Sequence, residues 1–246
     1  MLGAMITVAH ICAIVTSLLI SIGLPVALLL VWRRKTHASL LSALVGAGTF
    51  FLFAMVLESL CHRIVLQPKG YIATHAWAYA LYASLAAGIF EETGRYLAFR
   101  FPLRKKTDRK ESVMYGIGHG GLEAILLSGV SLCMLLWMIL HPAKADYQGT
   151  LQSVAATPAV NYLAGGIERI TAIALHIALS VLVFHSMDDW KWYPIAILLH
   201  AGVDAIAMLY RLSIIKNIWL LEAIVAIATL LVVLLAKRIY EVKSCS

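Results

Sequence analysis

Long apolar stretches alternate with short polar segments along nearly the whole chain. Windows of a length that can cross a bilayer, about 20 residues each, fall near residues 6–31, 39–61, 76–99, 112–140, 160–185, 193–210 and 217–236. The polar segments between them are too short to form a soluble domain. The pattern therefore predicts an all-α, polytopic transmembrane helical bundle of about seven spans, and a single integral membrane domain over residues 1–246.

The composition agrees with this pattern. Hydrophobic residues make up 61% of the chain and charged residues 13%, and the mean hydropathy is +0.86. These values exclude an ordinary soluble domain and predict the lipid bilayer as a partner. The first apolar stretch has neither a basic leader nor a small-residue cleavage site, so we interpret it as a retained helix and not as a signal peptide.

The basic residues indicate how the chain is oriented in the membrane. They cluster at residues 33–35, at residues 100–110 and in the C-terminal tail, which fall on the same side of a seven-span bundle. Lys and Arg accumulate on the cytoplasmic side of membrane proteins, so we expect the N-terminus outside and the C-terminus in the cytoplasm. Basic clusters beside a membrane usually contact anionic lipid, and we expect no nucleic-acid partner despite a net charge of +7.

Three charged residues lie inside the third apolar stretch, at Glu91, Glu92 and Arg95. An ionised group there costs several kcal/mol unless it is paired or hydrated. On a helix, the arginine can reach either glutamate within one turn. A purely structural ion pair needs only one glutamate, so the second carboxylate is a candidate general base that takes a proton from water.

The fourth stretch contains a histidine among glycines. His119 and Glu123 are four residues apart and share one helix face. Around them lie four residues without side chains, which would let another helix, a substrate backbone or water come close: Gly116, Gly118, Gly120 and Gly121.

The fifth and sixth stretches add further polar residues. Glu168 and Arg169 are adjacent and could neutralise each other or serve a structural role, whereas His176, seven residues after the arginine, is a stronger candidate for a site. His200 and Asp204 repeat the four-residue spacing of a shared helix face in the sixth stretch.

These polar residues are expected to meet at one depth. At about 1.5 Å of rise per residue, Glu91, Glu92, His119, His176 and His200 lie roughly 10 to 14 Å from the cytoplasmic ends of their spans, and Glu123 and Asp204 about 16 Å. The pattern predicts one polar site in the cytoplasmic half, reached by water from that side. Glu58 and Glu222 fall in the other half and are excluded from it.

Residue type and spacing leave three kinds of chemistry open for such a site. It could activate water for hydrolysis, bind a divalent metal, or relay protons or cations in a transporter. Arg95 would place a cation beside a metal, so we expect no cofactor, with zinc as the alternative. In that alternative the ligands would come from His119, Glu123, His176, His200 and Asp204.

Several of these motifs resemble those of known membrane proteases. Glu91-Glu92-x-x-Arg95 is similar to the EExxxR motif of the CAAX prenyl endopeptidase and bacteriocin-processing superfamily, although it is one residue shorter. Tyr115-x-x-x-His119 is similar to that superfamily's FxxxH motif, and His200-x-x-x-Asp204 to its HxxxN/D motif. With the glycines around His119, and with Glu123, Glu168, Arg169 and His176, the set over residues 76–210 resembles the YhfC family of intramembrane proteases, and also the PrsW type.

The resemblance implies a glutamic-type intramembrane endopeptidase of a prokaryotic cytoplasmic (inner) membrane, acting on a membrane protein or peptide. Glu91 or Glu92, with His119, would activate the attacking water, and Arg95 would hold the second glutamate. His200 and Asp204 would stabilise the oxyanion, although an ionised Asp cannot donate a hydrogen bond and would instead orient His200. The family has also been called a metalloprotease family, which keeps metal as an alternative. A different class, a cation-coupled transporter or an immunity-type membrane protein, is the runner-up.

Overall fold

The computed structural model describes residues 5–142 and 147–242, and this part of the chain is all-helical, without strands. Seven long helices follow one another up and down. They are α1 (Val8–Thr36), α2 (Leu40–Val65), α3 (Ala76–Arg100), α4 (Lys110–Leu140), α5 (Ala159–His185), α6 (Trp192–Arg211) and α7 (Ile218–Val242). Two short helices, Tyr71–Thr74 and Gln148–Ala156, lie in the connections before α3 and α5.

The predicted all-α membrane bundle is confirmed by these helices. Six of them, all but α3, are long and apolar enough to cross a membrane. Helix α3 has 25 residues and is long enough as well, but its buried Glu91, Glu92 and Arg95 lower its hydropathy. The number of crossings and the orientation of the termini remain predictions.

Helix α5 forms the centre of the bundle. Half of its most apolar window is buried, against 17–28% in the other five apolar helices, and it packs against α1, α3, α4, α6 and α7. Its C-terminal half, including Leu182, belongs to an apolar core with residues from the basic ends of its neighbours, including Phe99, Leu103 and Ala236. This core closes the end of the bundle where residues 33–35 and 100–110 lie.

The glycines of α4 let other helices come into backbone contact with it. A Cβ at Gly118 would lie 2.0 Å from the carbonyl oxygen of Ala43 on α2, and one at Gly116 would lie 2.6 Å from Cα of Ile177 on α5. Contacts this close exclude any side chain. The glycines thus place His119 against two neighbouring helices, as their helix-packing role in membranes suggests.

Helix α2 begins at a carboxylate from α4. Both carboxylate oxygens of Glu111 accept the backbone N–H of Ser39, at 3.1 and 3.0 Å, and Oε2 also accepts the hydroxyl of Ser42 at 2.5 Å. A negative group at a helix N-terminus satisfies free N–H groups and the helix dipole. This contact fixes α2 relative to α4 at the basic end of the bundle.

Candidate active site

The carboxylate of Glu92 is fully enclosed and fully paired. Nη1 of Arg95 donates to both of its oxygens, at 2.7 and 2.8 Å, and Nδ1 of His200 on α6 lies 2.7 Å from Oε1. Both Glu92 and Arg95 have no exposed surface. A buried ion pair needs this kind of complete hydrogen bonding to be tolerated, so Glu92 is the glutamate that Arg95 holds.

Glu91 has a different environment. Its Oε2 lies 2.8 Å from Nε2 of His119 on α4 and 3.8 Å from Nδ1 of His176 on α5. The other ring nitrogen of His119 is buried and has no hydrogen-bond partner in the described chain. Glu91 also lies in the wall of a cavity of about 530 Å³, so its carboxylate can meet water or substrate.

His176 is oriented from two sides. Nη2 of Arg95 donates to its Nδ1 at 3.1 Å, and its Nε2 contacts Oε2 of Glu123. Glu123 in turn accepts a hydrogen bond of 3.0 Å from Arg169, which also pairs with Glu168. Because a guanidinium has no acceptor, Nδ1 of His176 must carry the lone pair and Nε2 the proton.

The predicted site residues therefore form one connected group, and the convergence in depth predicted from four helices is seen in direct contacts. Asp204 lies at its edge, with Oδ2 3.6 Å from Nε2 of His200 and its side chain 34% exposed. Asp204 thus faces His200, and its orienting role stays a prediction.

Three of these residues could hold a metal ion. Donor atoms of Glu91, His119 and His176 all lie within 4.8 Å of one another, and two of the separations, 2.8 and 3.8 Å, bracket the roughly 3.4 Å between ligands of tetrahedral zinc. The carboxylate of Glu123 on the far nitrogen of His176 is the usual support of a metal-binding histidine. The residues present fit a divalent metal.

This set differs from the ligands expected from the sequence. Glu91 belongs to this set. Glu123 does not, because it contacts the nitrogen of His176 that faces away from the other two ligands. His200 contacts Glu92, and Asp204 contacts His200. Glu92 neutralises the guanidinium of Arg95, so the positive charge of Arg95 disfavours a nearby metal ion less than the sequence suggests. Arg95 still competes for the lone pair of His176, which can accept its N–H or bind a metal but not both.

A cavity of about 530 Å³ leads away from the site. Its wall contains Glu91, His176 and His200, and it extends along α2, α5, α6 and α7 to Ser59, His62, Asn161 and Ile218. These last residues lie at the end of the bundle opposite to the basic clusters. The cavity thus runs away from the basic end, where the apolar core includes Phe99 and Leu182. Access of water from the cytoplasmic side stays a prediction.

Two residues that the sequence excluded line the same cavity. Glu58 and Glu222 do fall in the other half of the bundle, but the cavity connects them with Glu91. Thr229, on the last helix and far along the chain from the glutamate pair, also lines it. The cavity thus joins residues of both halves, because depth along a helix does not show which helix faces enclose a common space.

The fold and the site define an integral membrane protein with a buried glutamate–histidine centre of a kind that serves hydrolysis or metal binding. The chain belongs to the YhfC intramembrane metalloprotease family, whose model matches residues 18–225. Over 239 residues it is 36% identical to a Bacillus subtilis (strain 168) protein described as "Uncharacterized membrane protein YhfC", covering 89% of this chain and 93% of that protein. No solved structure matches the chain significantly.

Proposed function

We propose that this protein is an intramembrane endopeptidase that hydrolyses a peptide bond of a membrane-associated protein or peptide at Glu91, His119 and His176. The observation that carries the proposal is the convergence of these three side chains from three helices, two of which, Glu91 and His176, line the inner end of a cavity that reaches the bundle end. Membership of a protease family gives the same reaction class. The substrate would enter from the open end of the cavity.

Glu91, His119 and His176 would hold a divalent metal, which when bound would polarise the scissile carbonyl and favour ionisation of a water molecule. Glu91 lies on the cavity wall and can accept the proton of the attacking water. The oxygen of that water bonds to the carbonyl carbon, the C–N bond breaks, and the proton passes to the leaving amine. Glu123 holds His176 in place through Nε2, and Nδ1 would exchange its hydrogen bond from Arg95 for the metal.

His200 is the candidate donor to the oxyanion. Its Nδ1 donates to the Glu92 carboxylate, and its Nε2 lies 3.6 Å from Oδ2 of Asp204. Nε2 can donate to the oxyanion when both ring nitrogens carry a proton. A donor held in advance by a buried carboxylate needs no reorganisation when charge develops on the carbonyl oxygen. Asp204 thus acts as a positioning residue for the imidazole, as the sequence suggests for an Asp at this place.

A metal-free mechanism for the same reaction is supported by a different contact. Glu91 and His119 contact each other directly at 2.8 Å, which is the geometry of a glutamate–histidine pair that activates water without metal. Both mechanisms hydrolyse a peptide bond and both use Glu91 and His119. They differ in whether activity depends on a metal.

The transporter alternative finds less support in this arrangement. The polar lining does reach into the outer half, through Glu58 and Glu222, contrary to the sequence expectation. However, the apolar core that includes Phe99, Leu103 and Leu182 fills the bundle between the site and the basic end. A conducting path would need this core to open, whereas hydrolysis needs access from one side only.

The test of hydrolysis is isotopic. The purified protein is reconstituted with a membrane-anchored reporter library in water enriched in ¹⁸O, and the products are read by mass spectrometry. Hydrolysis predicts new peptide ends with one ¹⁸O in the new carboxyl group for the wild type, and none for Glu91→Gln. Intact reporters with the wild-type protein, or cleavage that persists in Glu91→Gln, would contradict the proposal.

A further inference from the structure

The wall of the cavity carries more acidic than basic side chains. Three histidines line it, and no Lys or Arg is among the described residues of its wall. Six carboxylates border it: Glu58, Glu91, Glu123, Glu168, Asp204 and Glu222. A low-dielectric cleft with an excess of one charge sign concentrates ligands of the opposite sign, so a carboxylate without a partner in this cavity favours a cationic group.

Five of these six carboxylates already have partners. Glu91 faces His119, Glu123 and Glu168 pair with Arg169, Glu58 lies 3.3 Å from His62, and Asp204 lies 3.6 Å from His200. Only Glu222 has no ion pair or hydrogen bond within the described residues. Its side chain is buried, with 8% of the residue exposed, and its Oε2 has no hydrogen-bond partner there.

A second unpartnered group lies on the same face of α7. Thr229 is seven residues after Glu222, two helical turns further along, and its hydroxyl is buried without a partner in the described part of the chain. Both residues line the cavity, and the aliphatic side chains of Val225, between them, and Leu221, next to Glu222, line it as well. Buried polar atoms without partners cost free energy, and a ligand that donates to them would remove that cost.

The position of this face relative to the site follows from helix geometry. Glu222 lies about 6 Å and Thr229 about 16 Å from the N-terminal end of α7. His200 lies about 16 Å from the C-terminal end of α6, to which α7 is joined by a short connection. Thr229 is thus near the level of His200, and Glu222 is nearer the mouth of the cavity.

We propose that Glu222, with Thr229 and the aliphatic surface between them, binds a lysine or arginine side chain of the peptide substrate on the mouth side of the scissile bond. The inference rests on the proposed peptidase function and names its substrate class. A long side chain would lay its methylene groups on Leu221 and Val225 and direct its N–H groups to the carboxylate. A metal ion is a poorer occupant, because one free carboxylate and one hydroxyl supply too few ligands.

A binding experiment tests this subsite without turnover. The probes are two fluorescent Leu/Ala membrane peptides that differ only in one residue, lysine or its uncharged isostere norleucine, near the end of the apolar segment. They are titrated against Glu91→Gln protein in nanodiscs of phosphatidylcholine, which has no primary amine. We expect the lysine peptide to bind about tenfold more tightly, as for one charge-assisted contact.

The double variant Glu91→Gln/Glu222→Gln should lose this preference to within about twofold, and Glu91→Gln/Glu241→Gln, changed at an exposed glutamate outside the cavity, should keep it. No preference in the first protein, or the same preference after Glu222→Gln, would overturn the subsite. Because binding is measured on an inactive protein, its result is independent of the ¹⁸O test. Either proposal, the subsite or the hydrolysis, can therefore be overturned without the other.

Thermal unfolding shows whether Glu222→Gln keeps the fold. Because the wild-type carboxylate is buried without a partner among the described residues, the variant should unfold at a temperature equal to or above that of the wild type. A clear drop would mean that Glu222 serves the fold, and would count against a binding role.

Discussion

Glu91 and Glu92 are neighbours in the chain, yet their carboxylates have different partners. Glu92 is enclosed between Arg95 and His200, whereas Glu91 faces His119 and the cavity. Glu92 therefore serves as a structural anion and Glu91 as the reactive one. Replacing Glu92 should affect stability, and replacing Glu91 should affect activity.

Replacing Glu91 with Gln should lower the cleavage rate of a membrane-anchored reporter on the order of 10²–10⁴-fold, because the group that accepts the proton of water is lost. The shape is kept and Arg95 still pairs with Glu92, so the unfolding temperature of the metal-free protein in detergent should change little. Metal affinity should fall as well, because Glu91 is one of the proposed ligands. A cleavage rate within a few-fold of the wild type would remove Glu91 from its assigned role.

Replacing Glu92 with Gln should instead destabilise the protein. Arg95 would keep its charge in a fully buried place without a counter-ion, and breaking one side of a buried ion pair costs about 3–5 kcal/mol. The measurement is thermal or denaturant unfolding in detergent, compared with Glu91→Gln. If the two variants are equally stable, the separation of roles drawn from the structure is incorrect.

Glu123→Gln should weaken metal binding without loss of fold. Glu123 contacts the far nitrogen of His176, and losing such a support typically lowers metal affinity about 10–100-fold. Arg169 still pairs with Glu168, so no cation is left alone. Metal affinity is measured by competition with a chromophoric chelator, with Glu241→Gln as the matched control, and equal affinities of the two variants would argue against the support.

Two glycine replacements test the helix contacts that place His119. Gly118→Ala would put a Cβ 2.0 Å from a backbone oxygen of α2 and should cost about 1–3 kcal/mol of stability. Gly48→Ala has no atom within 4 Å of the added Cβ and should be neutral or stabilising by up to about 1 kcal/mol. Unfolding temperatures of the two variants decide the matter, and a stable Gly118→Ala protein would refute the close contact.

Thiol labelling of intact cells tests the predicted orientation. In a background without the natural cysteines, Ser59→Cys at the open end of the cavity should react with a membrane-impermeant reagent. Thr107→Cys at the basic end should react only after permeabilisation. The reverse labelling pattern would contradict the predicted orientation and place the cavity mouth on the cytoplasmic side.

Much of the fold and of the candidate site could be predicted from the sequence, because apolar length and intramembrane charge carry strong free-energy costs. Those costs single out Glu91, Glu92, Arg95, His119, His176 and His200, and the shared depth predicts that they meet. The glycines of α4 likewise indicate close helix contact, since residues without side chains let neighbouring backbones approach.

The remaining features depend on which helix faces enclose a common space. Nothing in the spacing shows that Arg95 takes Glu92 and leaves Glu91 to His119, since both glutamates are within one turn. The cavity past Glu58 and Glu222 also depends on how α2, α5, α6 and α7 are arranged. The periodicity of a single helix shows neither the partner of each glutamate nor the course of the cavity.

If Glu91, His119 and His176 form a metal-dependent hydrolytic site, metal content and cleavage should change together. The detergent-purified protein should contain close to one divalent metal per chain, lose it with cleavage activity in chelator, and regain both when zinc is added. His119→Ala should contain little metal, whereas His141→Ala, at an exposed histidine outside the site, should match the wild type. Metal-free protein that cleaves in the presence of chelator would contradict the metal site and leave the Glu91–His119 pair to activate water alone.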